Sequence, residues 1–175
     1  TGWTIAPKIP RNPLGRFYWN FEYKPEDHDD GEKTFLGHTG NFNGEDIINI
    51  LADQPATPRF LARHLYNFFV ADEAQVPAWN ITPPRDPEAI QTLVDAYNDS
   101  KGDIRSILRV LFKSDFFKSA RFEHVKSPAE LVVGTVRIAG NYNGPRPGLT
   151  LLAMECNWQG QELLNPPSVE SWHTG

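Results

Sequence analysis

The fold is decided by residues 57–70, which read TPRFLARHLYNFFV. Pro58 falls in the first turn, where its fixed φ and missing N–H suit the start of a helix. Large apolar residues then recur on one broad stripe at helical spacing. They are Phe60, Leu61, Leu65, Phe68 and Phe69. The stretch therefore predicts a buried core helix against which the other elements pack.

Further helices are predicted on both sides of this core helix. Upstream, one begins near Asn43 and runs through Leu51 until Pro55 ends it. Downstream, three cap residues each precede an apolar face at helical spacing. They are Asp86 before Ile90, Leu93, Val94 and Tyr97; Asp103 before Ile104, Ile107, Leu108 and Leu111; and Ser127 before Val132 and Ile138. A last helix is predicted from Leu149 to Leu164. The short connections predict antiparallel neighbours.

The first 43 residues have a different composition, rich in glycine, proline, asparagine and aromatic residues. Phe17, Trp19 and Phe21 alternate with their neighbours at the period of a strand, and Asp30-Gly31 offers a turn before a second strand from Lys33 to Leu36. We therefore predict a mainly α protein, an antiparallel helical bundle-like domain with a short N-terminal β-hairpin arm. Residues 1–43 form the arm, 44–165 the helical body and 166–175 a Pro/Trp tail, all in one domain.

Length and charge restrict the class of protein. The 175 residues suffice for one domain with a real core. Because 17 Lys and Arg stand against 22 Asp and Glu, the net charge is −5, without the basic excess typical of nucleic-acid binding. No apolar run approaches the roughly 18 residues of a membrane span. We expect another protein as the partner, with no nucleic acid and no membrane span in this stretch. The single Cys156 leaves the redox compartment open.

Several sequence blocks resemble a known family. They are Thr1-Gly2-Trp3; HDDGEKTFLG at residues 28–37; Lys126-Ser127-Pro128-Ala129-Glu130 with Arg137; and Gly160-Gln161 followed by Pro166-Pro167-Ser168-Val169 and Trp172. In this order they are similar to the bacterial family catalogued as domain of unknown function 1800, across nearly the whole chain. Ser171 departs from the pattern, since the resemblance leads us to expect glycine there.

The resemblance implies a helical body but no reaction. It implies that an N-terminal helical portion and a short C-terminal stretch lie outside this chain, in keeping with a first residue that is not methionine and with Trp172 so close to the end. Members of the family often carry export signals, which implies an exported or periplasmic location. They are also often encoded beside a second protein of uncertain function.

Ionisable side chains are most concentrated in the segment that contains His28, Asp29 and Asp30. Carboxylates and imidazole are ligands of divalent cations, so these residues are a candidate metal or polar site. The segment is not an EF-hand: counting from position 27, the sixth and twelfth residues are glutamate and histidine, where that motif requires glycine and glutamate. The alternative is a hairpin turn in which these side chains bond to loop backbone.

Two other sets of residues are candidate binding sites. Glu130 and Arg137 lie two helical turns apart, so they share a helix face and would grip a polar ligand together; the alternative is that each pairs with another helix. Trp158, Gln161 and Trp172 combine aromatic faces with an amide, a mixture suited to sugars or peptides, or to anchoring the Pro/Trp tail. His64, alone on an apolar helix face, is predicted to be a core histidine.

These patterns favour a noncatalytic interaction or scaffold module of an exported bacterial protein, presenting the arm and the tail to a partner. One alternative is a metal-dependent, hydrolase-like enzyme that uses the loop at residues 28–30 and a divalent cation. Another is a glycan-binding module that uses Trp158 and Trp172. The catalytic residues, if the chain is an enzyme, are unknown.

Overall fold

The computed structural model describes residues 1–7, 19–140, 144 and 147–167. Within these ranges the helices are α1 Gly44–Ala52, α2 Ala56–Phe69, α3 Pro87–Ser100, α4 Ile104–Lys113, α5 Asp115–Ser119, α6 Pro128–Ala139 and α7 Leu149–Trp158. The strands are β1 Trp3–Pro7, β2 Trp19–Tyr23, β3 Lys33–Phe35 and β4 His38–Gly40. Two 3-10 turns occupy Pro25–Asp27 and Val76–Asn80. The predicted class, mainly α with a short N-terminal hairpin, is confirmed.

The core lies where α2, α3 and α4 pack side by side. Leu93, Ile107 and Leu111 are almost completely enclosed there. The remaining buried members are Ala62, Tyr66, Val70, Ala71, Ala89, Ile90 and Val94. Phe116 and Phe117 of α5 pack against the edge of this cluster. Burying these side chains is the main stabilising term for the helical body.

The predicted buried stripe of α2 is only partly correct. Phe60 is 50% exposed and Phe68 63% exposed, so the prediction that both are core residues is wrong. The buried face runs instead through Ala62, Tyr66 and Val70, four residues apart along the helix. A small residue such as Ala62 lets α3 approach the α2 backbone closely, and the larger phenylalanines lie outside this contact.

The predicted helix starts are confirmed at Asn43, Asp86, Asp103 and Ser127. Each side chain accepts a hydrogen bond from an N–H of the first helical turn. Because a cap acts within about three residues, its pattern is visible in the sequence.

The last helix is shorter than predicted. It ends at Trp158, not at Leu164. Gly160 adopts a left-handed conformation with φ +90°, and the Gln161 N–H donates to the Cys156 carbonyl at 2.9 Å. This closing bond satisfies a carbonyl at the helix end and turns the chain away from the helix axis.

The strand pairing differs from the prediction. β2 pairs antiparallel with β1, placing Trp3 opposite Tyr23, and β3 pairs with β4 in a separate hairpin. Leu36 and Gly37 both have positive φ, at 49° and 83°, which is the geometry of a two-residue hairpin turn. This turn pairs β3 with β4, and β2 and β3 lie in separate two-stranded sheets, so the predicted hairpin between them is wrong. Phe17 lies outside the described residues.

The arm is joined to the helical body through Trp3. Its ring lies against Gly44 at the start of α1, where a Cβ atom would overlap the indole. Gly2, at φ +67°, accepts a hydrogen bond at its carbonyl from the Lys24 N–H, at 2.9 Å. Of the helices in the described ranges, none combines the length and the apolar content that a membrane crossing requires.

The β3–β4 turn gives a first prediction. An L-residue in the left-handed region loses about 1–2 kcal/mol, and asparagine tolerates that region better than leucine. We expect Leu36→Asn to raise the hydrogen-exchange protection of the β3–β4 amides by about threefold, and Gly37→Ala to lower it. Leu36→Ala is the control, because it removes the same side chain without favouring a positive φ. An equal gain in Leu36→Ala would contradict the turn as the cause.

Candidate functional site

The most highly connected polar group in the described chain is the guanidinium of Arg63 on α2. The residue is only 6% exposed, and its Nη2 lies 2.7 Å from Oε2 of Glu73. Its Nε donates to the same oxygen at 3.0 Å. Nη1 donates to the Thr82 carbonyl at 3.0 Å, and Nη2 to the Pro83 carbonyl at 3.1 Å. A buried charge is tolerated when it is paired and hydrogen-bonded in this way.

Trp79 covers the ion pair from the loop side. The Arg63 guanidinium lies 4.7 Å from the indole centroid, within the range of a cation–π contact. The indole N–H donates to the Ala74 carbonyl at 2.6 Å. The second carboxylate oxygen of Glu73, Oε1, accepts the Arg85 N–H at 2.8 Å. These bonds fix the segment 71–86, which connects α2 to α3.

An aromatic row lies beside the ion pair. The His64 ring is 4.4 Å from that of Phe60 and 4.6 Å from that of Trp79, centroid to centroid. Burial among these rings lowers the pKa of His64, because it disfavours the charged imidazolium. His64 is thus half-buried at an aromatic surface, and its contacts are with rings.

A second polar group ties residues 121–125 to the same loop. His124 Nδ1 lies 2.6 Å from Asp72 Oδ1, and Arg85 forms an ion pair with Glu123. The Val125 N–H donates to Asp72 Oδ2 at 3.0 Å. The Glu123 carboxylate raises the pKa of Arg85 through its hydrogen bond and its charge. Both polar groups therefore stabilise loop positions by bonds within the protein.

These residues were missed by the sequence analysis. The only signal for Arg63 is a positive charge in the middle of a helix, close to the apolar residues Leu61, Ala62 and Leu65. Nothing in the local sequence indicates that its partner is Glu73, since the two are separated by the end of α2. The arrangement can bind and orient the loop, because all three guanidinium nitrogens donate to other residues of the chain.

The segment at residues 28–30 is built as a turn. His28 Nδ1 bonds Asp30 Oδ1 at 2.8 Å, and Asp29 Oδ1 accepts the Gly31 N–H, also at 2.8 Å. That N–H and the Lys33 charge lower the pKa of Asp29. The His28 side chain is 7% exposed, and its Nε2 is buried with no hydrogen-bond partner among the described residues. Over the described ranges, no three His, Cys, Asp or Glu side chains converge in a geometry that would hold a metal ion.

The other predicted site residues are not brought together. Glu130 accepts the Ser127 N–H at 2.8 Å in a capping box, and this bond lowers its pKa. Arg137 is exposed in the last turn of the same helix. Gln161 accepts the Ala129 N–H at 2.8 Å, which ties the end of α7 to the first turn of α6. In the remaining surface set, Trp158 is exposed, while Trp172 lies outside the described residues.

Removing one partner of the buried pair gives the second prediction. Arg63→Ala should lower the free energy of unfolding by about 3–5 kcal/mol, because the Glu73 carboxylate is left buried without its partner. The measurement is urea denaturation. Arg121→Ala, at an exposed arginine, is the control and should change stability by less than about 0.5 kcal/mol. A loss of under about 1 kcal/mol in Arg63→Ala would contradict a structural role for the pair.

The loop at residues 28–30 gives the third prediction. We expect residues 28–30 to act as a turn. Neither calcium nor zinc should then raise the melting temperature of the protein. Asp29→Ala should lower the melting temperature by the same amount in EDTA as in added cation. The metal hypothesis predicts stoichiometric metal by elemental analysis, and a stabilisation by cation that Asp29→Ala abolishes. Asp99→Ala, an exposed carboxylate on α3, is the control for nonspecific binding.

Comparison with known proteins places the chain in a family. A family model described as "Protein of unknown function (DUF1800)" matches residues 1–175, which confirms the resemblance of the sequence blocks. No curated protein and no solved structure matches the chain. Because the family model covers its full length, the chain belongs to the DUF1800 family of proteins of unknown function.

Proposed function

We propose that this chain acts as a noncatalytic interaction module and that its α6–α7 pair binds another protein. The observation that carries the proposal is the apolar composition of α6, which reads PAELVVGTVRIA. Only three of its side chains are polar, yet none of its residues is buried. A helix with so wide an apolar surface normally packs against protein over most of that surface.

The partner helix α7 has the same character. It reads LTLLAMECNW, and only Cys156 is buried. Ile138 on α6 is 88% exposed and Trp158 on α7 is 68% exposed, while Met154 is also exposed. Large contiguous apolar surfaces on a folded protein mark binding sites. Tryptophan and methionine are enriched in the cores of protein interfaces.

The charges of α6 lie near its ends. Glu130 stands in the first turn and Arg137 in the last, with the stretch LVVGTV at 131–136 between them. An apolar centre with a polar rim is the usual anatomy of a protein–protein interface. Arg137 is exposed and fits a role as a rim residue, whereas the Glu130 carboxylate already accepts the Ser127 N–H at the start of the helix.

The N-terminal arm supports the same function. Ile5 and Phe21 are paired across β1 and β2, and both are more than 60% exposed. A sheet of two strands leaves the outer edge of each strand free in the described part of the chain. Open strand edges and apolar cross-strand pairs are features of surfaces that bind another polypeptide. Of the Pro/Trp tail, Pro166 and Pro167 are exposed and residues 168–175 lie outside the described ranges.

Glycan binding is the second candidate, and the exposure of Trp158 favours it. Its proposed companion Gln161 is engaged by the Ala129 N–H, which occupies its carbonyl oxygen. An exposed indole alone binds sugars weakly, so the protein-binding proposal accounts for more of the surface.

The fourth prediction concerns this surface. A photoreactive amino acid in place of Ile138 in the full-length protein should cross-link to a distinct second protein in the native host, identified by mass spectrometry. The same residue in place of Ile81, which is equally exposed but lies in the α2–α3 loop, is the control. Ile138→Asp should weaken binding of the identified partner about tenfold while leaving the melting temperature unchanged.

Two outcomes would contradict the proposal. Cross-linking of position 138 only to other segments of the same polypeptide would make α6–α7 an internal packing surface. Equal cross-linking from positions 138 and 81 would show that exposure alone determines the products.

A further inference from the structure

A cavity of about 570 Å³ lies between the α1–α2 connection and one face of α3. We propose that it is a binding site for a small acidic sugar, a ligand that carries one carboxylate and several hydroxyl groups. Its volume falls in the range of small-molecule sites, which is roughly 300–1,000 Å³. The site lies on α1, α2 and α3, so it goes beyond the protein-binding surface of α6–α7.

The helices themselves build the two walls. Gln91, Asn98 and Lys101 lie at positions i, i+7 and i+10 on α3 and its C-cap, so they project from one face. Asp53 and Arg59 contribute from the opposite wall. The Tyr97 hydroxyl donates to the Ala52 carbonyl at 3.0 Å, which joins the walls and sets their separation.

The charge of the cavity is opposite to that of the whole chain. Arg59 and Lys101 carry positive charge into the lining and Asp53 carries one negative charge, whereas the chain has a net charge of −5. Both cationic residues are exposed. In the part of the chain that the structure describes, no ion pair or hydrogen bond engages either cationic side chain. Two free cations in one concave site attract a carboxylate.

The neutral groups determine what else the ligand carries. The Asn98 amide offers both donors and an acceptor, and Asp53 accepts hydrogen bonds from hydroxyl groups. Gln91 uses its Nε2 to bond Asp95 Oδ1 at 2.8 Å, which leaves its carbonyl oxygen as an acceptor. Acceptors of this kind beside the cations are suited to hydroxyl groups, and a simple carboxylate would leave them unused.

The test is an NMR titration of the 15N-labelled chain with three probes, D-glucuronate, D-glucose and acetate. We expect glucuronate to give saturable shifts at the amides of residues 52–59 and 91–101, and both glucose and acetate to bind at least tenfold more weakly. Arg59→Gln and Lys101→Gln should each weaken glucuronate binding at least tenfold. Arg105→Gln, at an exposed cation on α4, is the matched control and should have no effect.

Three outcomes would overturn the proposal. Equal binding of glucose and glucuronate would remove the role of the two cations. Equal binding of acetate would remove the role of the hydroxyl acceptors. The absence of localised shifts with wild-type protein would exclude the site whatever the variants do. Because Arg59 and Lys101 are exposed, unchanged circular dichroism should accompany both variants.

Discussion

The buried ion pair between Arg63 and Glu73 is the constraint on which the helical body depends. Two charges are removed from water there, and their mutual attraction offsets the lost hydration only if the remaining donors are also satisfied. The carbonyls of the 71–86 segment supply those acceptors, so the segment has one favourable path across the end of α2. That path determines where α3 begins. The position of α3 in turn sets the contact with α4 that encloses Leu93 and Leu111.

The same constraint shapes the cavity. One wall is a face of α3 and the other runs from the end of α1 to the first turn of α2, so the width of the cavity follows from how α2 and α3 are held together. The ion pair acts near one end of the α2–α3 contact, and the bond from Tyr97 to Ala52 acts near the other. By contrast, α6 and α7 pack mainly on each other. Their exposed faces are therefore determined by their own apolar composition and little by the core.

The sequence predicts the local features of this fold and misses the nonlocal ones. The N-caps Asp86 and Ser127 were predictable, because a cap and the N–H that it accepts lie within three residues. The partner of β2 was not predictable, since β1 and β3 both offer suitable residues, and the turn at Leu36 and Gly37 that gives β3 its own partner has no clear signature in the sequence. Glycine at 37 permits that turn, but leucine at 36 gives no sign of it. The Arg63 pair was missed for the same reason, as its partner follows the end of the helix.

Residue type alone does not identify a binding site in this protein, because some side chains of the right type already bond to their own chain. Asp29 and Gln161 are the right residue types for ligands, yet both accept N–H groups of their own chain, so binding a ligand through those oxygens would break a bond that shapes a turn or a helix end. Arg59 and Ile138 have no sequence motif, but both side chains are exposed and a ligand would displace only water from them. Net binding energy is gained where new contacts do not replace existing ones. Exposed helix side chains that bond to no other group of the described chain are therefore better candidates for function in this protein than His28, Asp29 and Asp30.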